Sequence, residues 1–347
     1  MTTTAPPPRV GAYLSPRESL AGATPLARRA EALGYDSVWV THGIGRDAFL
    51  VLAAFAQGTS RIGLGTGVVP IYPRHPVLMA QEAATLAELS GGRLRLGIGV
   101  SHRAVMTEAL GLDMGRPLDV MREYVTLLRA ALKGEAHLAG RYYHVAWEGA
   151  VRVASPVPVL LAGLSEPMLE LAGEVADGVV LWLCAPAYIR NVAVPALARG
   201  RARAGKSRDG FEVVAAVPAA ATTDVPGVRQ TFRDELVRYL SLPYYRAMLR
   251  ASGFAESLAA FDRDRRSGSP GTTVPPELLE ALGVVGSPDV VRRAVQAYRA
   301  AGVTLPVVRP IGAPESAHAG PTLDAAAPED GARAGSGGPA AGHAALS

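Results

Sequence analysis

Apolar residues recur along this chain with two spacings. In one kind of stretch they fall three or four positions apart, as at Leu26, Ala30 and Leu33, which predicts a helix with one buried face. In the other they form short β-branched runs, which predict strands buried on both faces of a parallel sheet. The two kinds alternate, which predicts the α/β class. Glycines that can end a helix in a left-handed turn separate them at Gly34, Gly91 or Gly92, Gly178 and Gly302.

Eight strands can be counted, which is the number that closes a barrel. Parallel strands joined by helices in this number predict a (β/α)8 barrel, the TIM barrel fold. Two longer segments, 132–156 and 222–285, interrupt the rhythm after the fourth and seventh strands; the first predicts a hairpin and the second extra helices. We expect both insertions to cover an active site at the carboxyl ends of the strands. The predicted strands are 10–14, 37–41, 61–68, 93–99, 158–162, 178–183, 212–218 and 304–309.

Length and composition favour one large domain with a tail at each end. The chain has 347 residues, of which 49% are hydrophobic, enough for the core of a single barrel. Residues 1–8 are rich in Thr and Pro, and residues 313–347 are almost entirely small, polar or Pro. Such segments bury too little apolar surface to offset the entropy of ordering, so we expect a barrel over 9–312 between two disordered tails.

Charge and cysteine content exclude several classes of function. The net charge is only +4, and basic and acidic residues alternate along the predicted helices, so we expect no nucleic-acid partner. No apolar stretch is long enough to cross a bilayer, which argues against a membrane partner. A single cysteine, Cys184, and the absence of a leader-like start predict a cytoplasmic protein without disulfides. The histidines and this cysteine do not cluster as metal ligands do, so we expect no metal.

Two glycine-rich stretches, Gly63–Gly67 and Gly97–Gly99, raise the alternative of a dinucleotide-binding fold. That fold needs a glycine-rich turn that opens directly into a helix, where helix amides meet the pyrophosphate. Here the first stretch runs into Pro70 and Pro73, which prevent a helix, and His102 stands where the second needs its last glycine. A hydrolase is disfavoured too, because no Gly-x-Ser-x-Gly elbow is present.

The segment 64–100, LGTGVVPIYPRHPVLMAQEAATLAELSGGRLRLGIGV, resembles the luciferase-like monooxygenase family. Further similarity lies in AEALGYDSVWVTH, PVLLAGLSEPMLELAGEVADGVV and GSPDVVRRAVQAYRAAGV. The chain looks nearest the F420-dependent oxidoreductase branch that resembles methylene-tetrahydromethanopterin reductase. This resemblance implies hydride transfer between the deazaflavin coenzyme F420 and an organic acceptor. An FMN-dependent monooxygenase and a degenerate paralogue that binds cofactor without turnover are the alternatives.

The resemblance also implies where the cofactor binds. In this family the third strand ends in a bulge with a non-prolyl cis peptide that backs the ring system, and Gly67–Val68 occupies that place. His42, at the end of the second strand, is the candidate catalytic residue, because a histidine titrates near neutral pH and could donate a proton. The implied cofactor-binding residues are Thr41, Thr66, Gly67, Val68, Gly99, Val100, Ser101, Ala162, Gly163, Leu164, Ser165 and Trp182.

Three positions depart from the family's pattern. Thr41 stands where an acid commonly precedes the histidine, and Val100 stands where F420-dependent sugar-phosphate dehydrogenases have a catalytic Glu. Glu166 follows Ser165 where the family often reads Gly-Pro, and a carboxylate pointing inward would repel the cofactor phosphate. Without the dehydrogenase acid, the expected reaction is reduction of an activated C=C or C=N bond.

The acceptor implied by the resemblance is a small molecule or a modified peptide, and the enzyme is expected to be a homodimer. The predicted substrate pocket is lined by Tyr72, His102, Leu183 and Cys184.

Overall fold

The computed structural model describes residues 9–15, 19–43, 45–149, 155–266, 274–313 and 316–328. Eight parallel strands close a barrel, because the last strand pairs with the first and the sixth pairs with the seventh. In order around the barrel the strands are β1 (Gly11–Tyr13), β2 (Ser37–Val40), β3 (Gly63–Thr66), β5 (Leu94–Gly99), β8 (Val159–Ala162), β9 (Gly178–Leu181), β10 (Glu212–Ala221) and β12 (Leu305–Pro310). The predicted fold and all eight predicted strands are confirmed.

The third strand is interrupted at the predicted bulge. Residues 61–68 were expected to form one strand, but β3 ends at Thr66 and a two-residue strand, β4 (Val69–Pro70), follows Gly67 and Val68. β3 pairs with the beginning of β5, whereas β4 pairs with its end. Between Gly65 and Val69 the third strand therefore has one residue more than β5 has between Arg95 and Ile98, as in a bulge.

Helices cover the outside of the barrel and extend over one end of it. They are α1 (Leu20–Ala32), α2 (Ala48–Gly58), α3 (Pro76–Leu89), α4 (Pro117–Ala131), α5 (Glu166–Val175), α6 (Pro186–Tyr188), α7 (Val194–Arg203), α8 (Val225–Leu240), α9 (Pro243–Ala251), α10 (Ala255–Arg266), α11 (Pro276–Leu282), α12 (Pro288–Ala300) and α13 (Ala319–Ala326). Two π-helical turns occupy Ala104–Ala109 and Ile189–Ala193. Among the described residues no helix is both long and apolar enough to span a membrane.

Most of the predicted helix-ending glycines adopt the left-handed conformation. Gly34 has φ 82° and Gly302 has φ 100°, and both Gly91 and Gly92 have positive φ. The expectation for Gly178 is wrong, because this residue begins β9 instead of ending a helix. It is glycine because a Cβ there would lie 2.6 Å from the carbonyl oxygen of Glu212 in the neighbouring strand.

The barrel interior is filled by side chains that alternate inward from the strands. Trp39 at its centre is fully buried, and its indole N–H donates to the Ser37 hydroxyl at 3.0 Å. Gly65 makes room for it, since a Cβ on Gly65 would overlap the indole ring. Val68 and Trp182 pack on this interior cluster from the carboxyl-terminal side. The floor of that mouth is thus a rigid apolar surface.

The two insertions have different positions. The first forms the predicted hairpin, β6 (Glu135–Ala139) and β7 (His144–Glu148), but it follows α4 and packs along the outside of that helix. The Glu123 carboxylate of α4 accepts three backbone N–H groups from the turn, at 2.9–3.2 Å. The expectation that this hairpin covers the active site stays a prediction. The second insertion holds β11 (Val284–Gly286), which extends the sheet beside β10, and helices α8–α11.

The chain after the last barrel strand forms a helix in a segment whose composition predicts disorder. Disorder was expected from residue 313, but α13 lies in this part and buries Leu323 completely against the barrel. The hydroxyl of Tyr35 donates to the Leu323 carbonyl at 2.7 Å, and Arg29 pairs with Asp324 at 2.6 Å. Residues 1–8 and 329–347, the rest of the two predicted tails, lie outside the described residues.

Candidate active site at the carboxyl ends of the strands

A cavity of about 670 Å³ lies between the carboxyl-terminal mouth of the barrel and helix α8. The barrel contributes the ends of β1, β2, β9 and β12, and the second insertion contributes one face of α8. This insertion covers the mouth, as expected. The lining residues are Tyr13, Ser15, Val40, Thr41, Gly43, Gly45, Arg46, Val51, Trp182, Leu183, Thr231, Phe232, Asp234, Glu235, Leu236, Arg238, Tyr239, Arg309, Pro310 and Gly312.

The bulge at Gly67 and Val68 is held from three sides. The Gly67 carbonyl oxygen accepts hydrogen bonds from the Thr41 hydroxyl at 2.9 Å and from the Tyr13 hydroxyl at 3.3 Å. The backbone N–H of His42 donates to the Val68 carbonyl at 3.3 Å. The Gly67–Val68 peptide is cis, which confirms the prediction. Thr41 and Tyr13, two cavity-lining residues, thus fix the position of the bulge.

Thr66, a predicted cofactor-binding residue, faces inward. It is fully buried, and its hydroxyl both donates to the Gly97 carbonyl at 2.7 Å and accepts the Gly97 N–H at 2.8 Å. Gly97 has no room for a side chain, because a Cβ would overlap the Thr66 carbonyl. The Thr66 hydroxyl is therefore committed to joining β3 and β5 and supports the bulge from below.

His42, the candidate catalytic residue, lies in the loop before α2, and its neighbours Thr41 and Gly43 line the cavity. Its Nδ1 accepts the backbone N–H of Ala48 at 3.2 Å, and its Nε2 is 3.4 Å from a guanidinium nitrogen of Arg74. Arg74 in turn pairs with Asp47 and with Glu82. The His42 ring thus contacts the first residue of α2, and its catalytic role stays a prediction.

Burial lowers the pKa of His42, the nearby Arg74 charge lowers it further, and Asp47 opposes them. The folded pKa thus lies below the unfolded value of about 6.5, so the neutral form is favoured in the folded protein. Stability from this residue is present above the unfolded pKa and is lost as the pH falls below it. We expect the His42→Asn variant, whose amide oxygen can also accept the Ala48 N–H, to lose less stability than wild type between pH 7.5 and 5.5.

Urea unfolding at these two pH values measures the effect. His137→Asn is the control, because His137 is an exposed histidine in the hairpin with half of its side chain accessible. Equal pH dependence in wild type and His42→Asn would contradict the prediction.

The ends of β5 and β8 lie on the other side of the bulge. A Cβ on Gly99 would lie 2.8 Å from a Val68 methyl and 3.1 Å from Ala162, so the three residues are in close contact. Val100 is half-buried, and Ser101 follows with φ 61°. The next loop, Gly163 and Leu164, is anchored because the Tyr188 hydroxyl donates to the Leu164 carbonyl at 2.5 Å. Gly99 and Ala162 thus lie beside the bulge, and the lining of the α8 cavity includes none of these predicted residues.

The expected conflict at Glu166 does not arise. Its carboxylate forms an ion pair with Arg199 of α7 at 2.6 Å, on the outside of the barrel, and Arg199 also pairs with Glu170. Ser165 precedes α5, and its side chain makes no capping hydrogen bond with the helix. The backbone amides at the start of α5 and the Ser165 hydroxyl are thus available for an anion, with the nearby carboxylate neutralised.

The predicted substrate-pocket residues separate into two groups. Leu183 lines the cavity and has φ 53°. The centroid of the His102 ring lies 6.0 Å from that of Tyr245 and 6.4 Å from that of Tyr239. Tyr72 instead donates to the Met114 carbonyl at 2.8 Å, away from the cavity. Cys184 is 1% exposed, and burial raises the pKa of its thiol to about 12. Tyr72 and Cys184 do not line this cavity, and their place in a substrate pocket stays a prediction.

Sequence reasoning missed most of the cavity's polar residues. Helix α8 was predicted, but Glu235, Arg238 and Tyr239 were not assigned to the site. The helical pattern offered a signal: Phe232, Leu236 and Leu240 are the buried face of α8. Glu235 and Tyr239 each lie three residues after one of them, next to that face. Arg309, another missed residue, lies at the end of β12, the strand-end position typical of barrel active sites.

Trp182 and Tyr239 join the barrel to its cover. Trp182 packs edge-on to Tyr13 at 5.7 Å between ring centroids, and Tyr239 lies 6.1 Å from Trp182 and 5.0 Å from Tyr245. Together with His102 these rings form a continuous aromatic cluster across the mouth. Such packing keeps α8 in place over the barrel mouth.

These features fit a planar ring system with an anionic tail. Glycines at 67, 97 and 99 leave no space for side chains of their own and let the backbone approach closely. Val68 offers an apolar surface, Trp182 an aromatic wall, and the start of α5 a place for a phosphate. A (β/α)8 barrel with this site defines the class of barrel oxidoreductases that use a flavin or a deazaflavin.

The chain belongs to the luciferase-like monooxygenase family, whose model matches residues 2–305. A 5,10-methylenetetrahydromethanopterin reductase from Archaeoglobus fulgidus is 31% identical over 296 residues, which cover 82% of this chain and 88% of the relative. A protein from Mycobacterium tuberculosis, provisionally named a coenzyme F420-dependent oxidoreductase, is 29% identical over 309 residues, covering 82% and 89%.

The fold matches a solved structure of the coenzyme F420-dependent tetrahydromethanopterin reductase from Methanopyrus kandleri. The TM-score is 0.78 at 24% identity, and the match covers 93% of this chain and 98% of that one. Homologues use F420 or FMN. The family resemblance inferred from the sequence is confirmed.

Proposed function

We propose that this protein is an F420-dependent oxidoreductase that reduces an activated C=C or C=N bond of an organic acceptor. The observation that carries the proposal is the pairing of a fixed bulge, Gly67–Val68, with a cavity whose lining residues Thr41 and Tyr13 hold that bulge. The reductase from Archaeoglobus fulgidus and the F420-related name of the mycobacterial relative support the choice of reaction and cofactor.

Reduced F420, when bound, supplies a hydride. The chain's own residues then have three tasks. Gly67 and Val68, held by Thr41 and Tyr13, support one face of the ring system, and the start of α5 with Ser165 binds the phosphate of the tail. Trp182 and Tyr239 close the opposite side, so that the acceptor lies in the cavity under α8 and away from water.

Titration of the purified chain with oxidised F420 and, separately, with FMN tests the proposal. We expect saturable binding of F420, followed by F420 fluorescence, and weaker or absent binding of FMN. Oxidation of reduced F420 by unsaturated acceptors without oxygen consumption would support the reductase. Tight FMN binding with oxygen consumption would overturn it in favour of the monooxygenase, and F420 binding without turnover of any acceptor would favour the cofactor-binding paralogue.

We also propose that the protein acts as a homodimer. Leu50 on α2 is 71% exposed, and Leu78 and Leu89 on the adjacent helix α3 are 54% and 44% exposed. Large apolar side chains on neighbouring surface helices are typical of a surface that is covered in an assembly.

A further inference from the structure

Arg309 is a charged residue in an unusual place. It lies at the end of β12, on the cavity wall, and only 11% of its side chain is exposed. Its guanidinium lies 5.5 Å from the centroid of the Trp182 ring, on which it stacks. A cation this deeply buried needs a partner of opposite charge, because burial in a low-dielectric surrounding disfavours the isolated charge.

Glu235 of α8 is that partner, and each of its carboxylate oxygens accepts one hydrogen bond. One oxygen accepts from Nη2 of Arg309 at 2.6 Å, and the other accepts the backbone N–H of Gly312 at 3.1 Å. The pair links the cover of the cavity to the last strand of the barrel. It therefore holds the Arg309 guanidinium in one position on the cavity wall.

The Arg309 guanidinium has N–H groups that donate to no described residue. Within the described residues Glu235 is its one hydrogen-bond partner, and its Nε–H is buried without any. A guanidinium carries five N–H donors in one plane. The Nε–H itself is buried, so a ligand would meet the Nη N–H groups that Glu235 leaves unpaired, where an acceptor atom gains the energy of a charge-assisted hydrogen bond.

The charges around the cavity favour an anion at this position. Arg46, Arg238 and Arg309 line it, against the carboxylates of Asp234 and Glu235. Asp234 is on the exposed side of α8 and accepts from the Gln230 amide at 2.9 Å. Arg238 lies over the Tyr239 ring at 4.9 Å, which brings a second guanidinium to the same wall. The described lining residues therefore carry one positive charge more than negative.

We propose that Arg309 is the specificity-determining residue of this cavity and that it binds a carboxylate group of the acceptor. A carboxylate suits the site because its oxygens lie in one plane and match the planar arrangement of guanidinium donors. Its organic body lies against Trp182 and Tyr239, the aromatic wall between Arg309 and the bulge. The proposal rests on the proposed function only for the reaction; binding of the carboxylate is a property of the cavity alone.

Matched carboxylate and amide ligands test this assignment. The probes are benzoate and benzamide, cinnamate and cinnamamide, and indole-3-acetate and indole-3-acetamide, with benzylamine and phenyl phosphate as cationic and phosphate probes. Binding to the full chain is followed by quenching of tryptophan fluorescence and by calorimetry. In at least one pair we expect the carboxylate to bind tenfold or more tightly than its amide, and more tightly than either benzylamine or phenyl phosphate.

Neutralising the ion pair on both sides avoids leaving a buried charge unpaired. In the double variant Glu235→Gln with Arg309→Met we expect the preference for the carboxylate to fall to threefold or less. The control is Arg246→Met with Asp262→Asn, since Arg246 is similarly buried, pairs with Asp262 at 2.5 Å and lies away from the cavity. The control should keep the preference, and unfolding midpoints of both variants report their folding.

Wild-type protein that binds each amide as tightly as its carboxylate, or prefers benzylamine, overturns the proposal. Tighter binding of phenyl phosphate than of the carboxylates would show that the site binds a phosphate group, and it also overturns the proposal. Retention of the carboxylate preference in the Arg309 variant shows that another residue determines it. F420 titration is a separate measurement, so loss of F420 binding in wild type would overturn the proposed reaction while the ligand preference still decides the role of Arg309.

Discussion

Replacing Gly67 with alanine is expected to weaken F420 binding at least a hundredfold, about 2.7 kcal/mol. A Cβ at this position would overlap the hydroxyl and ring of Tyr13. Tyr13 cannot easily move, because it is 3% exposed and packs between Trp39 and Trp182. The overlap can therefore be removed only by movement of the bulge. The bulge would shift away from Thr41 and Tyr13, and away from the position in which it supports the ring system of F420. Fluorescence titration with F420 measures the loss.

Gly320→Ala is the matched control for this substitution. Gly320 lies in α13 and does not line the cavity, and a Cβ there meets no atom within 4 Å. Alanine is the better helix former, so this variant should bind F420 as wild type does and be equally or slightly more stable. Circular dichroism and urea unfolding of Gly67→Ala separate a displaced bulge from an unfolded chain. Undiminished F420 binding by a folded Gly67→Ala protein would exclude the role assigned to the bulge.

Replacing Trp39 with alanine should produce the largest loss of stability, about 3–5 kcal/mol in the free energy of unfolding. The indole is fully buried at the barrel centre and fills the space that Gly65 leaves open. Its removal creates a cavity that the closed ring of strands cannot collapse to fill, and it leaves the Ser37 hydroxyl without the indole N–H. Urea unfolding followed by circular dichroism measures the change.

Tyr244→Ala serves as the comparison for Trp39, because 55% of the Tyr244 side chain is exposed on α9. A surface truncation of this kind should change the free energy of unfolding by no more than about 0.5 kcal/mol. A Trp39→Ala protein as stable as Tyr244→Ala would show that the barrel interior repacks freely, contrary to the rigid floor described above.

The barrel was predictable because its signal is local. Each strand is a short apolar run buried on both faces, and each run follows a helix whose end is marked by a glycine such as Gly34 or Gly302. The predictions that failed concern residues whose structure depends on distant parts of the chain. Gly178 looks like a helix-ending glycine, but its constraint is the approach of Glu212 from a strand more than thirty residues away. The order of α13 comes from burial of Leu323 against the barrel, which its small-residue composition does not reveal.

The site was predictable only in part, because side-chain directions and contacts between residues far apart in sequence are not visible in a local pattern. The bulge at Gly67 and Val68 was found because it repeats a family pattern within one strand. Sequence position put His42 at a strand end, but the hydrogen bond that turns its ring toward Ala48 depends on the course of the following loop. Glu235 and Arg309 are 74 residues apart, and no local pattern signals that they pair. Side-chain direction in a loop and contacts between distant segments are tertiary properties.

The aromatic cluster of Trp182, Tyr239 and Tyr245 lies where two parts of the chain meet, the barrel and the second insertion. The surface that supports the ring system belongs to the barrel strands, whereas seven of the twenty residues that line the cavity belong to the insertion at residues 222–285. Substitutions at these seven positions can therefore reshape the acceptor space while the bulge and its hydrogen bonds stay as they are. Evolution of a new acceptor shape can thus act on the cover of the cavity, and the cofactor site in the barrel need not be rebuilt.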